Sequence, residues 1–217
     1  MAQREPLSPR RRPQQARSRE LVRAIAMACE RILVDEGAAA LNTNRIAEVA
    51  GVNIGSVYRY FPNKEAIIAE VYELQLQDLA AEYEDGWEAA QAGPGPRTLT
   101  DAVRAHIAGN AAMHRRLLRI DDAFYRAYQR ELDLGERRSE RFDRTFLEQA
   151  EHWLRDQLAV HRASLVVTDL DMAAFLVARS VAGALRSAAR DQPERLADAA
   201  FLSALERMAL LYLEGNA

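Results

Sequence analysis

Tyr58, Arg59 and Tyr60 stand consecutively, Lys64 follows four residues on, and Thr43 and Arg45 lie upstream. Phenol and threonine hydroxyls, a guanidinium and an ammonium all donate hydrogen bonds to anionic oxygen, and a guanidinium also forks onto a base edge. Ser56 can donate or accept, and Gly55 has no side chain to keep another backbone or a base away. Such a set recognises a polyanion; it does not turn a substrate over. Each tyrosine taken alone also reads as a half-buried packing ring. The residues of catalysis are missing from their usual patterns: there is no nucleophile elbow, P-loop, dinucleotide glycine fingerprint or HExxH. The four histidines, His106, His114, His152 and His161, do not have metal-ligand spacing, and Asp121-Asp122 reads as a helix start. The expectation is a protein with no cofactor, no metal and no enzymatic activity.

These donors need a short, stiff edge to hold them. Thr43 is placed to cap a helix over residues 44–50, with Ile46, Ala47, Val49 and Ala50 inward and Gly51 as its stop. Asn53 is placed to cap a second short helix, from Ile54 to Tyr60 or Phe61, in which Val57 and Phe61 are four apart and face inward. About three residues with a glycine separate the two, which is the helix-turn-helix pattern. Its exposed first turn is Ile54, Gly55 and Ser56. Pro62 breaks the chain, and Asn63 caps the next helix, whose free N–H groups beside Lys64 form a further phosphate site.

Charge is distributed to match. The net charge is −3, yet residues 1–64 carry eleven basic and six acidic side chains, a balance of +5, and the remainder carries −8. A basic first third on an acidic body suits local contact with a polyanion, and equally suits a charged tail on a neutral domain. Residues 1–16, with three prolines and Arg10-Arg11-Arg12, read as a disordered basic arm. The arm either solubilises the chain or lies along phosphates.

From Arg17 onward the periodicity is helical almost throughout. Val22, Ile25, Cys29, Ile32 and Leu33 mark the first helix, which Gly37 closes. The helix opened by Lys64 runs toward Gly86, and the Ala92–Arg97 segment is a loop. Thr98 or Thr100 opens the next helix. One or two short helices fall between His114 and Leu134, and a long charged helix between Glu136 and His161. Apolar helices from Leu170 to Arg190 and from Pro193 to Leu213 end the chain. No alternating run demands a strand. The lone cysteine lies on an apolar stripe and excludes an intrachain disulfide, no run is long enough to span a bilayer, and no secretory h-region is present. A reduced, cytoplasmic setting without a membrane follows.

The penultimate helix presents Val177, Val181, Ala184 and Leu185 beside the small residues Ala178, Ala182 and Gly183, and the last presents Leu205, Met208 and Tyr212. Such broad faces suit either an intramolecular core or a two-fold four-helix bundle.

The order Thr43, Ile46-Ala47, Ala50-Gly51-Val52, Gly55, Val57-Tyr58, Tyr60-Phe61, Lys64-Glu65 resembles the tetracycline-repressor (TetR) family over about residues 17–70. The resemblance implies an all-α fold: a three-helix helix-turn-helix DNA-binding domain over 17–63, then a helical domain over 64–217 that binds an effector and dimerises through its last two helices. It places phosphate contacts at Thr43, Tyr58, Tyr60 and Lys64, and base contacts at Arg45, Ile54, Gly55, Ser56 and Arg59. Ile54 departs from the polar residue common there; it reads a thymine methyl or nothing. The function implied is a homodimeric regulator, foremost a repressor, of a palindromic double-stranded operator, released by an apolar or aromatic small molecule. Candidate pocket residues are Tyr72, Leu76, His106, Asn110, Met113, Leu117, Phe124, Tyr125, Tyr128, Trp153 and Phe175. A helical interaction protein with a vestigial DNA-binding motif is the alternative, and a helical enzyme the more remote one.

Overall fold

Helix α1 (Ala16–Asp35) forms because Val22, Ile25, Ala26, Cys29, Ile32 and Leu33 recur at three-four spacing and are all buried in the computed structural model. The model describes residue 7 and residues 15–93 and 95–215. The basic arm expected over residues 1–16 therefore falls almost wholly outside the described residues. Gly37, at φ 84°, turns the chain out of α1, and its N–H closes on the Ile32 carbonyl at 3.0 Å. Helix α2 (Thr43–Ala50) and helix α3 (Ile54–Tyr60) follow. The described residues fold as two compact units. The first comprises the chain up to Gln77 together with Arg119–Ala123, and the second comprises Asp78–Leu118 and Phe124 onward.

In the first unit α1 packs on α2, and α2 on α3. Ile25, Ile46, Val57, Phe61 and Ile67 are at most 1% exposed. Burying one such side chain stabilises by about 1.5–3 kcal/mol. Helix α4 (Lys64–Ala92) begins in this unit, where Ala66, Ile67, Ile68, Val71 and Tyr72 are buried. The Tyr72 hydroxyl donates to the Asp121 carbonyl at 2.7 Å, and Gln75 Nε2 donates to Glu30 of α1 at 2.8 Å. A boundary at Lys64, as read from sequence, cuts through this core; the compact unit extends to Gln77 because these first turns of α4 are part of it. Cys29 is fully buried, and burial pushes its thiol up to about 12, so it packs as an inert apolar group.

The second unit is built from the end of α4, α5 (Leu99–Leu118), α6 (Asp122–Ala127, of which the last residues belong here), α7 (Phe146–Val160), α8 (Leu170–Asp191) and α9 (Ala199–Glu214). Helix α8 packs on α5 and α7, and α5 also packs on α9. Thr98 opens α5, accepting from the Asp101 N–H at 3.1 Å. Gly86 does not stop α4. A side chain there would meet nothing within 4 Å, and the helix runs on to Ala92.

Two local expectations need correction. The long helix read over Glu136–His161 is only its second half. Residues 138–139 and 144–145 pair as a two-stranded antiparallel hairpin, β1 and β2, with Arg138 opposite Thr145. Asp143 turns it at φ 53°, a conformation that Asp tolerates better than most. Arg141 fastens the hairpin to α4 through Asp85 at 2.8 Å and Glu84 at 3.3 Å. Helix α7 starts at Phe146 because Thr145 and Glu148 form a capping box: the Thr145 hydroxyl accepts from the Glu148 N–H at 3.2 Å, and the Glu148 carboxylate accepts from the Thr145 N–H at 2.7 Å. Thr145→Ala is expected to cost about 1 kcal/mol, read as a lower midpoint in urea with the slope unchanged. Pro193 lies in a 3-10 turn (Pro193–Ala197) and not in α9, whose cap is Asp198, accepting from the Ala200 N–H at 2.9 Å.

Among the described residues α8 alone has the length and apolarity to cross a membrane, and half of its apolar window is buried inside the unit.

Candidate nucleic-acid interface and effector cavity

The turn between α2 and α3 is fixed at both ends by small polar caps. Asn42, not Thr43, caps α2: its Oδ1 accepts from the Arg45 N–H at 2.9 Å, the reach an N-cap needs. Thr43 is thus the first helical residue, and its hydroxyl is free to meet the Tyr58 hydroxyl of α3 at 3.0 Å. Gly51 takes the left-handed conformation at φ 66°, and the Val52 N–H returns to the Ala47 carbonyl at 2.9 Å. Asn53 then caps α3, accepting from the Gly55 N–H at 2.7 Å. A Cβ on residue 55 would lie 3.1 Å from that cap oxygen, so the glycine serves the cap as well as leaving the helix's first turn bare. Phe61 adopts an extended conformation ahead of Pro62 and ends α3. The Asn63 side chain accepts from the Ala66 N–H at 2.8 Å and starts α4.

Around this frame Val57 and Phe61 point inward, while Gly55, Tyr58, Arg59 and Lys64 are exposed and Thr43, Ile54, Ser56 and Tyr60 half-buried. The structure therefore gathers the expected donors on and beside α3, at the surface of one unit. Arg45 is differently engaged. Its guanidinium pairs with Glu36 at 2.9 Å and Glu48 at 3.0 Å. The hydrogen bond from Arg45 holds the exposed Glu36 carboxyl below its usual range. For Arg45 to reach a base it must exchange these partners; sequence alone gave no sign of Glu36.

The second unit holds two adjoining cavities. One, of about 50 Å³, is lined by Tyr83, Trp87, Asn110, Met113, His114, Asp133, Phe146 and Arg186 among others. The other, of about 250 Å³, shares Tyr83, Trp87, Asn110 and Ala150 with it and adds His106 and Trp153. Trp87 packs against Tyr83 and Phe146, with ring centroids 5.6 and 5.9 Å apart. The Tyr83 hydroxyl donates to the Gly109 carbonyl at 2.8 Å, and burial raises its pKa to about 12. Burial also pushes His106 and His114 down to about 4, so both rings are uncharged at neutral pH.

Of the pocket residues read from sequence, the structure brings His106, Asn110, Met113 and Trp153 to these cavities. The others lie elsewhere. Tyr72 and Leu76 are core residues of the first unit. Leu117, Phe124 and Tyr125 are packed inside the second, Tyr125 with its hydroxyl 2.8 Å from His114 Nδ1, and Tyr128 packs at a tilt against Phe124. Phe175 is 45% exposed on the outer side of α8, under the Arg179 guanidinium. The missed residues include Tyr83, Trp87, His114, Asp133, Phe146 and Arg186. The four-residue spacing of Tyr83 and Trp87 was the available signal.

The apolar face expected to meet a second chain also needs redrawing. Val177, Val181, Leu185 and Leu205 are at most 7% exposed because they form the unit's own core. Ala184 is half-buried, and Met208 and Tyr212 are exposed. The uncovered apolar residues of the two helices are Met172, Phe175 and Leu176 on α8 and Met208, Leu211 and Tyr212 on α9.

An αL-glycine turn between two capped helices, with tyrosine, arginine and lysine donors outward, defines a helix-turn-helix DNA-binding protein. Residues 25–71 match the family of bacterial regulatory proteins of the tetR type, which is the segment that holds the helix-turn-helix. A transcriptional regulator from Cytophaga hutchinsonii superposes with a TM-score of 0.52 at 12% identity, over 92% of this chain and 100% of that one. RolR in complex with resorcinol is 17% identical over 88% of each chain, with a TM-score of 0.48. The fatty acid degradation regulator FadR from Bacillus halodurans is 16% identical over 92% of this chain and 97% of that one, with a TM-score of 0.48. At these identities the likeness is one of fold. No curated protein matches the chain.

Proposed function

We propose that two copies of the chain, joined through the uncovered faces of α8 and α9, bind a palindromic operator as a repressor in the cytoplasm and leave it when a small aromatic effector enters the cavities of the second unit. The observation that carries the reading is the surface of α3, where Tyr58 and Arg59 stand exposed beside Thr43 while Val57 and Phe61 anchor the helix from behind. Phosphate contacts from Thr43, Tyr58, Tyr60 and Lys64 fix the register, and the first turn of α3 together with Arg59 reads base edges. Arg45 joins them once released from Glu36 and Glu48. The effector acts by population shift: it binds better to the conformation that does not fit the operator.

Uncovered apolar side chains on two neighbouring helices support a self-complementary contact, since exposed patches of this kind mark association surfaces. The test is binding to the DNA upstream of the protein's own coding sequence, followed by fluorescence anisotropy at several salt concentrations. Lys64→Ala is expected to weaken binding to all sequences alike and to lower the slope of log affinity against log salt by about one unit per half-site. An unchanged slope contradicts a phosphate contact at Lys64.

A further inference from the structure

The charge in the cavity wall is already matched. Arg186 Nη2 lies 2.8 Å from Asp133 Oδ2, and the Asp133 side chain is only 9% exposed. The other Asp133 oxygen accepts from the Gly135 N–H at 3.0 Å, which holds the carboxylate, and Gln129 Nε2 donates to the Arg186 backbone carbonyl at 3.0 Å. The Arg186 side chain is 35% exposed, but its charge is already taken by Asp133, so a ligand carboxylate entering here must compete with the Asp133 carboxylate for it. At the far side of the shared wall one buried ring nitrogen has no partner. His106 Nε2 is buried with no hydrogen-bond partner, while the Ala178 carbonyl hydrogen-bonds the ring. The proton is thereby assigned to the other ring nitrogen, and Nε2 keeps its lone pair. One Asn110 amide N–H is donated to the His106 carbonyl at 3.0 Å, which leaves its other N–H and its oxygen available. A buried acceptor without a partner gains from any donor brought within hydrogen-bond reach of it. Between these ends the walls are the rings of Tyr83, Trp87 and Phe146.

We propose that the effector is an uncharged, single-ring aromatic molecule bearing an O–H or N–H donor, and that the Asp133–Arg186 pair is the element that rejects aromatic carboxylates. The proposal rests on the reading of these cavities as the effector site. The ring itself has room only in the cavity of about 250 Å³, which exceeds the roughly 150 Å³ that suffices for benzene in an engineered protein cavity; the Asp133–Arg186 pair lines the adjoining cavity of about 50 Å³, so it is a substituent of the ring that meets the pair.

The probes are 4-hydroxybenzamide and 4-hydroxybenzoate, which share shape and phenol and differ in charge. The chain's two tryptophans, Trp87 and Trp153, both line the cavities, so intrinsic fluorescence reads binding at the site itself. At pH 7.5 the amide is expected to bind the full-length protein at least about tenfold more tightly than the benzoate, the discrimination that like-charge contact provides. Asp133→Asn keeps the shape and the acceptor for Gly135 but leaves Arg186 unmatched, and it is expected to reverse the order. Equal or tighter binding of the benzoate to the unaltered protein overturns the proposal, as does quenching by neither probe at millimolar concentration, and so does an Asp133→Asn variant that folds and keeps the original order. The unaltered protein alone decides the first two outcomes if the variant fails to fold. Release of operator DNA is measured in parallel. An amide that binds with the stated preference yet leaves the DNA complex intact contradicts the reading of the cavities as the effector site, while the charge rule stands.

Discussion

Phe61→Ala is expected to abolish DNA binding by melting the unit that carries α3. Phe61 is 1% exposed, its ring sits behind the recognition surface, and its N–H closes α3 on the Val57 carbonyl at 2.9 Å. Truncating a buried phenylalanine costs about 3–5 kcal/mol, from lost transfer energy and the cavity left behind. That is a large share of the roughly 5–15 kcal/mol that holds a whole domain folded. The check is thermal unfolding followed by circular dichroism alongside the anisotropy titration. A variant that melts within a degree or two of the parent would show that the ring does not anchor the helix. Tyr58→Phe is the contrast. The Tyr58 side chain is 45% exposed and meets Thr43 only through its hydroxyl, so its loss leaves the fold intact and weakens DNA binding alone.

Leu211→Asp is expected to give a folded monomer. Leu211 is 47% exposed in the protomer, so the substitution spares the core. In a two-fold contact it places two carboxylates in an apolar interface, each costing several kcal/mol. Light scattering coupled to gel filtration should then report a mass near 24.4 kDa, against twice that for the parent. Operator affinity should fall by about 10² to 10⁴, since two half-sites are no longer held by one linked pair of recognition helices. A variant that remains dimeric places the interface elsewhere.

These two residues also mark what a sequence discloses and what it withholds. Phe61 is legible because Gly51, Asn53 and Pro62 punctuate the chain within a dozen residues, and punctuation of that density admits few conformations. Thr43 and Tyr58 are legible as donors, though not as partners of each other, because their meeting depends on Asn42 taking the cap. The residues of α8 expected to meet a second chain serve the core of their own unit. That helix is apolar or small on nearly every face, so periodicity does not say which face serves the unit's own core; Val177, Val181 and Leu185 serve it, while Met172 and Leu176 do not. The hairpin at residues 138–145 was hidden by its brevity, since two-residue strands carry no alternation to detect. The Asp133–Arg186 pair has no local signature at all. It exists only because the turn following α6 is brought against α8, and nothing in the spacing of the two residues announces that.

The most direct test of two recognition helices seated on one duplex is a hydroxyl-radical footprint of the full-length protein on the DNA upstream of its own coding sequence, at low salt and without added small molecules. The account predicts two protected patches of the same size, related by a two-fold axis, with centres one helical turn of about 34–36 Å or a multiple of it apart. Both should disappear together in Leu211→Asp. A single patch, a spacing that does not follow the helical repeat, or a uniform ladder at every protein concentration contradicts it.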